Sequence, residues 1–129
     1  MWWVMASKED KEAIKRQHQK GKLTARERIG MLIDKGSFTE LNEDMELIST
    51  NFNLQEKKKP GDGIITGYGR INNRPVCIFA QDFTFMGGSM GSVVGARFVK
   101  AVDAAIENNC ALVCFSASGG ARMQEALMS

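Results

Sequence analysis

The spacing of apolar residues changes character along this chain, and each change predicts a different element. From Lys8 to Lys20 the residues are strong helix formers but almost all polar, with Ala13 and Ile14 as the apolar exceptions. Ser7 and Asp10 resemble a helix start, and Gly21 is a stop signal. A helix with so narrow an apolar stripe must lean on a neighbour. The next stretch, "LTARERIGMLIDKG", is patterned more clearly. Thr24 and Glu27 have the spacing of a capping box, Ile29, Leu32 and Ile33 form one apolar face, and Gly36 is placed to cap the C-terminus. Residues 42–61, with Pro60, read as a long irregular loop. In "DGIITGYGRINNRPVCIFAQDF" the period shortens to that of strands. Two β-rich runs flank Asn72-Asn73, residues that tolerate the positive φ of a tight hairpin. Val76, Ile78 and Ala80 alternate with Cys77, Phe79 and Gln81. Nearly all are apolar, so this strand is expected to be covered on both faces.

A glycine-rich stretch, "FTFMGGSMG", leads into a helix near residues 91–108. There Val94, Phe98, Ala101, Val102, Ala105 and Ile106 recur at three- and four-residue steps and predict one buried stripe. Asn108-Asn109 ends it. "CALVCFSA" is a continuous apolar run with the length of a buried parallel strand. After "SGG", residues 121–128 are again good helix formers. The order strand, strand, glycine turn, helix, strand, glycine turn, helix implies a βαβ crossover in a layered α/β fold.

Composition narrows the function classes. With 129 residues and 43% apolar residues, the chain is long and apolar enough for a folded core. A net charge of +2 argues against a nucleic-acid partner, and the basic excess between Lys8 and Lys35 and the run Lys57–Lys59 read as solvated surface. Cys77, Cys110 and Cys114 form no CxxC pair, and the single histidine, His18, lies far from them, so no metal site is expected. Cys77 and Cys114 lie in apolar runs, where a reduced thiol acts as a small hydrophobe, which fits a cytoplasmic protein. The opening "MWWVMASKED" is too short an apolar stretch to cross a membrane.

The two glycine turns carry the chemistry. Both follow a strand and precede a helix, where α/β proteins bind ligands. Adjacent glycines leave backbone N–H groups uncovered, and a helix N-terminus adds a favourable dipole for a phosphate, a carboxylate or a developing oxyanion. Neither turn has the lysine of a GxxxxGK[ST] loop, and "GGSMGSVVG" lacks GxGxxG spacing. Ser118 resembles a nucleophile on an elbow, but its surroundings are SASGG rather than GxSxG and no base is at hand. It is expected to be a cap or turn residue. Backbone donors acting on an enolate or tetrahedral oxyanion need no titratable side chain, and one such donor is worth ~3–4 kcal/mol. Asp82, Arg122 and Glu125 are the charged residues near these turns, and the spacing of Arg122 and Glu125 suggests a local ion pair.

The residues quoted above also match a known family. "FMGGSMGSVVGARFVKAVDAAIENNCALVCFSASGGARMQEALMS" closely resembles the carboxyltransferase β subunit of acetyl-CoA carboxylases, without that subunit's four-cysteine zinc ribbon. "KGKLTARERIGMLIDKGSFTEL" and "PGDGIITGYGRINNRPVCIFAQDFT" are similar to the propionyl-CoA carboxylase β and methylmalonyl-CoA decarboxylase carboxyltransferases. The resemblance implies a crotonase-like spiral of ββα units, an acyl-CoA substrate, and carboxybiotin on a carrier protein as carboxyl donor. It implies that the amides of Gly119 and Gly120 hold the thioester oxygen, and that Met86, Gly87 and Gly88 line the acyl-CoA cleft. It also implies partners: the biotin carboxyl carrier, and another carboxyltransferase subunit or the remaining half of the domain, in a homo- or hetero-oligomer. Residues 1–22 are then a polar helix and tail, and residues 23–129 are the first half of the carboxyltransferase domain, truncated at its C-terminus and not expected to catalyse alone. A biotin-dependent decarboxylase and a non-catalytic acyl-CoA-binding module are the alternatives.

Overall fold

The computed structural model of the chain describes residues 8–41 and 63–123. Helix α1 spans Lys8–Gln19 and α2 spans Ala25–Leu32. Strands β1 (Thr39–Leu41), β2 (Ile64–Ile71) and β3 (Arg74–Gln81) follow, then α3 (Ser92–Glu107) and β4 (Ala111–Phe115). The described strands form one sheet in the order β1-β2-β3-β4. β1–β2 and β2–β3 are antiparallel, whereas β3–β4 is parallel and reached through α3. The expected βαβ crossover is therefore present. β1 was not anticipated: three residues are too few to show a period.

Hairpin β2–β3 turns on Asn72 (φ 49°) and Asn73 (φ 65°), as their tolerance of left-handed backbone predicts. A residue from outside the hairpin supports it. The Asp34 carboxylate accepts the N–H groups of Asn72 (3.0 Å) and Asn73 (2.7 Å), and the Asp34 N–H donates to the Arg70 carbonyl at 2.7 Å.

β3 is buried on both faces. On one face, Val76, Ile78 and Ala80 join Ile65 of β2 and Ala25 and Ile29 of α2, with Ile33 and Phe38 packed against them. On the other face, Phe79 joins Ile64 of β2 and Val94 and Ala101 of α3. α2 and α3 thus sandwich the same two strands, and adjacent residues Ile64 and Ile65 serve opposite cores.

The periodicity overestimated the burial of α3. Val94, Ala101 and Ala105 are buried, but Ile106 is 72% exposed and Phe98 is 40% exposed. The deep face runs instead through Val93, Val94, Arg97, Ala101 and Ala105. Phe98 meets the sheet only by its ring, edge-on to Phe79 at 5.1 Å between centroids. Apolar spacing counted the stripe from residue type, whereas the buried face includes Arg97, whose guanidinium donates to the Leu41 carbonyl and to Thr66 Oγ1. β4 is likewise only partly covered, with Ala111 and Cys114 exposed, because it is the edge of the described sheet.

At the N-terminal side, the capping box of Thr24 and Glu27 is formed in both directions. α2 ends at Leu32 with Ile33 as C-cap, so Gly36 (φ 74°) lies in the turn beyond the helix rather than capping it. The polar helix α1 leans on this start. Buried Gln17 donates to the Leu23 carbonyl at 3.2 Å, and His18 Nε2 meets Glu27 at 2.8 Å. The readings of the opening apolar stretch, of the loop at residues 42–61 and of Lys57–Lys59 lie outside the described residues.

Partial burial pushes the Glu27 carboxyl up. Hydrogen bonds from the Thr24 amide, His18 and the Thr24 hydroxyl, with the charge of His18, outweigh it and hold the group below its usual 4.5. A carboxyl lowered in the folded state adds stability above its unfolded value, and that stability is lost as pH falls through the folded one. Urea unfolding followed from pH 7 to pH values below 4.5 should therefore show an acid-side loss of stability that Glu27→Gln diminishes. An unchanged pH profile in the variant would contradict this role.

Candidate functional site

Gln81 ends β3 and is only 3% exposed. A buried amide needs partners on both its donor and acceptor sides, and this one finds them in both glycine turns. Its Nε2 donates to the Gly88 carbonyl at 3.3 Å and approaches the Met90 sulfur at 3.1 Å. Its Oε1 accepts from the Ser116 hydroxyl and from the Ala117 N–H, both at 3.1 Å. In the sequence Gln81 stands out only as the polar end of an apolar run. Its signal was that position: a polar residue closing a strand whose other inward positions are apolar, directly before a glycine turn.

The first turn contains a single 3-10 turn at Met86–Gly88, and the second follows β4. They meet along their backbones. The Gly119 N–H donates to the Gly87 carbonyl at 2.9 Å, the Met90 N–H to the Gly120 carbonyl at 2.7 Å, and the Arg122 N–H to the Met90 carbonyl at 2.7 Å. The last two make a parallel bridge between Met90 and Ala121. Gly88 is required twice over: its φ is +64°, and a Cβ there would collide with the Ala117 carbonyl oxygen. The structure therefore brings Met86, Gly87 and Gly88 together with Gly119 and Gly120.

Arg122 is 1% exposed and joins the same junction. Its Nε donates to Ser89 Oγ and its Nη2 to the Ser89 carbonyl, each at 3.1 Å, and the guanidinium lies 5.8 Å from the centre of the Phe85 ring. Its suggested partner Glu125, and the helix expected over residues 121–128 from residue 124 onward, lie outside the described residues. Residues 121–122 are non-helical, making the bridge to Met90. Asp82 turns inward locally, its carboxylate accepting from the N–H and hydroxyl of Thr84.

The two candidate amides differ in how they are engaged. Gly119 donates its N–H across the junction, and releasing it would part the two turns. Gly120 (φ 113°) donates to the hydroxyl of its near neighbour Ser118 at 3.1 Å, and both residues are exposed. A hydroxyl rotates freely, so an incoming oxygen can take the Gly120 N–H at little cost. Ser118 thus serves as a turn residue that accepts a hydrogen bond, and nothing in its described contacts would deprotonate it. Among the described residues no group of three or more His, Cys, Asp or Glu is placed to hold a metal ion, and no helix is long and apolar enough to cross a membrane.

Known proteins resemble this chain in sequence and fold. A family model described as carboxyl transferase domain matches residues 16–129. The propionyl-CoA carboxylase beta chain of Saccharopolyspora erythraea is 52% identical over 113 residues, covering 88% of this chain and 21% of the relative. The methylmalonyl-CoA decarboxylase subunit alpha of Veillonella parvula is 45% identical over 114 residues, covering 88% and 22%. Among solved structures, a transcarboxylase 12S hexamer with methylmalonyl-coenzyme A and methylmalonic acid bound matches with a TM-score of 0.86 and 39% identity, over 90% of this chain and 23% of that one. The chain spans about a fifth of the length of the curated relatives it matches.

Gln81→Leu keeps the volume near that of glutamine but strands the Ala117 N–H and the Gly88 carbonyl, while the exposed Ser116 hydroxyl can turn to water. At ~1–3 kcal/mol for each buried group left without a partner, partly relieved by water, the substitution should lower unfolding stability by roughly 2–4 kcal/mol. Urea denaturation measures this, and a loss below about 0.5 kcal/mol would remove Gln81 from its linking role.

Proposed function

The chain belongs to the carboxyl transferase domain family, and from that membership we propose that it forms part of a carboxyltransferase of a biotin-dependent acyl-CoA carboxylase. Its mixed sheet and flanking helices are part of that family's crotonase-like α/β fold, with residues 23–129 belonging to the carboxyltransferase domain. The reaction moves a carboxyl group from carboxybiotin, carried on a partner protein or domain, to the α-carbon of a short acyl-CoA. Propionyl-CoA giving methylmalonyl-CoA is the favoured pair, since relatives with half or more of their aligned residues identical bear propionyl or acetyl-/propionyl names. Acetyl-CoA giving malonyl-CoA is the other, and would place the protein in fatty acid biosynthesis. The protein is assigned to the cytoplasm and to an oligomer in which the rest of the domain completes the site.

The observation that carries this reading is the exposed Gly120 N–H, held at the junction of two glycine turns and paired only with a rotatable hydroxyl. Removing the α-proton of an acyl thioester leaves an enolate, whose oxygen then takes most of the negative charge. A fixed N–H aimed at that oxygen stabilises the charge as it develops, without a proton transfer from any side chain. Ser118 holds the donor until the thioester oxygen replaces it. Gly119, whose N–H is committed to the Gly87 carbonyl, fixes the turn that presents this donor. Met86, Gly87 and Gly88 form the opposite wall, where the acyl-CoA lies. This chain's residues bind and orient the thioester and stabilise its enolate; biotin supplies the carboxyl group.

The 45% identity to a methylmalonyl-CoA decarboxylase subunit supports a second reading in which the same site runs in the direction of decarboxylation. Enolate stabilisation serves both directions equally.

In a carboxyltransferase reconstituted with this chain, Ser118→Ala removes the internal partner of the Gly120 amide. Turnover with propionyl-CoA should change by less than about tenfold, and KM should not rise. Loss of a serine nucleophile instead costs on the order of a millionfold, and a collapse on that scale would reject the backbone-donor reading.

A further inference from the structure

Beyond the glycine junction, two cysteines unused by the proposed chemistry touch each other. Cys77, in the middle of β3, and Cys110, just before β4, have their sulfur atoms 3.5 Å apart. Their surroundings differ. Cys77 is 1% exposed, sealed within the sheet. Cys110 is half-buried and lines an open groove of about 470 Å³ with Val102, Ala105, Ile106, Asn109 and Leu112. One thiol of the pair can therefore be reached from solvent and the other cannot. The third cysteine, Cys114, is exposed further along β4 and takes no part in this contact.

We infer that Cys77 and Cys110 form a dithiol modification site that a small hydroperoxide converts to an intrachain disulfide. In the first step the Cys110 sulfur attacks the peroxide O–O bond. Sulfur is oxidised to a sulfenic acid, the peroxide is reduced, and the displaced oxygen leaves as an alcohol or as water. In the second step the Cys77 sulfur displaces the hydroxyl from Cys110. The S–S bond forms, the S–O bond breaks, and the hydroxyl leaves as water with the proton from Cys77. The chemistry starts at Cys110 because only it lines the open groove, and burial, then the hydrogen bond with Cys110 and its charge, push the Cys77 thiol up to about 12. Closure to a bond of about 2.05 Å requires the sulfurs to approach by roughly 1.5 Å. Cys110 is the partner that can move, because it follows Asn109 (φ 48°) in the turn between α3 and β4. Once formed, the bridge ties the two ends of the α3 crossover, the segment that brings the glycine turns together.

The test exposes the chain to hydrogen peroxide, with iodoacetamide alkylation and peptide mapping as readout, both folded and in urea. Folded protein should lose two of its three thiols and give a Cys77–Cys110 linked peptide at least about tenfold over either pairing with Cys114, reversibly with dithiothreitol, because contact raises the effective concentration of one thiol at the other. The unfolded chain should lose that preference. Dimedone should capture Cys110 in a Cys77→Ala variant but not in the parent chain. Three results would each overturn the inference: Cys77 remaining alkylatable while Cys110 oxidises further, Cys114-linked dimers as the main product, or the same pairing ratio in urea as in buffer.

Discussion

The amide of Gln81 binds both glycine turns at once, and the geometry of the site depends on that bond set. A peptide N–H stabilises a developing charge only if it is held in place beforehand, since reorienting it during the reaction would cancel much of the gain. Here the turn after β3 and the turn after β4 are held by one buried side chain that donates to the first and accepts from the second. The backbone bonds of Gly119, Met90 and Arg122 then close the junction around it. Arg122 adds a buried cation that donates to Ser89 on the first turn. The join between the two turns is not local in sequence: Gln81 and Ala117 are separated by 36 positions.

That junction exists because β3 is sandwiched. α2 covers one face and α3 the other, so the strand cannot shift in register without moving apolar residues out of both cores. Fixed register places Gln81 at the end of the strand and the parallel β4 beside it, and thus the two turns side by side. The Asp34 carboxylate does the same at the far end, where it holds the Asn72-Asn73 hairpin. Polar contacts at both ends of an otherwise apolar pair of strands define where the strands stop.

The likeness gives the family, and the turns offer it main-chain donors beside Ser118, an exchangeable hydrogen-bond acceptor. Gly119 and Gly120 are not equivalent in this arrangement. One is part of the scaffold that joins the turns, while the other points to a partner that can be replaced.

Much was legible in the residues alone where the signal is short-range. The capping box of Thr24 and Glu27, the Asn-Asn hairpin, the doubly covered β3 and the crossover to β4 each depend on spacing within a few residues, and each is present. The sequence also determined that glycines stand at both turns, because Gly88 has positive φ and no room for a side chain. What only the tertiary structure decided is longer in range. Phe98 and Ile106 fit the apolar period of α3 yet remain exposed, because the face set against the sheet runs through Val93, Val94, Arg97, Ala101 and Ala105. Gln81 looked like a strand end, and its links, like those of Arg122 to Ser89, form only once the crossover brings residues 81–90 against residues 116–122. Periodicity records which face of an element avoids water. Which polar group meets which requires the path of the chain in space.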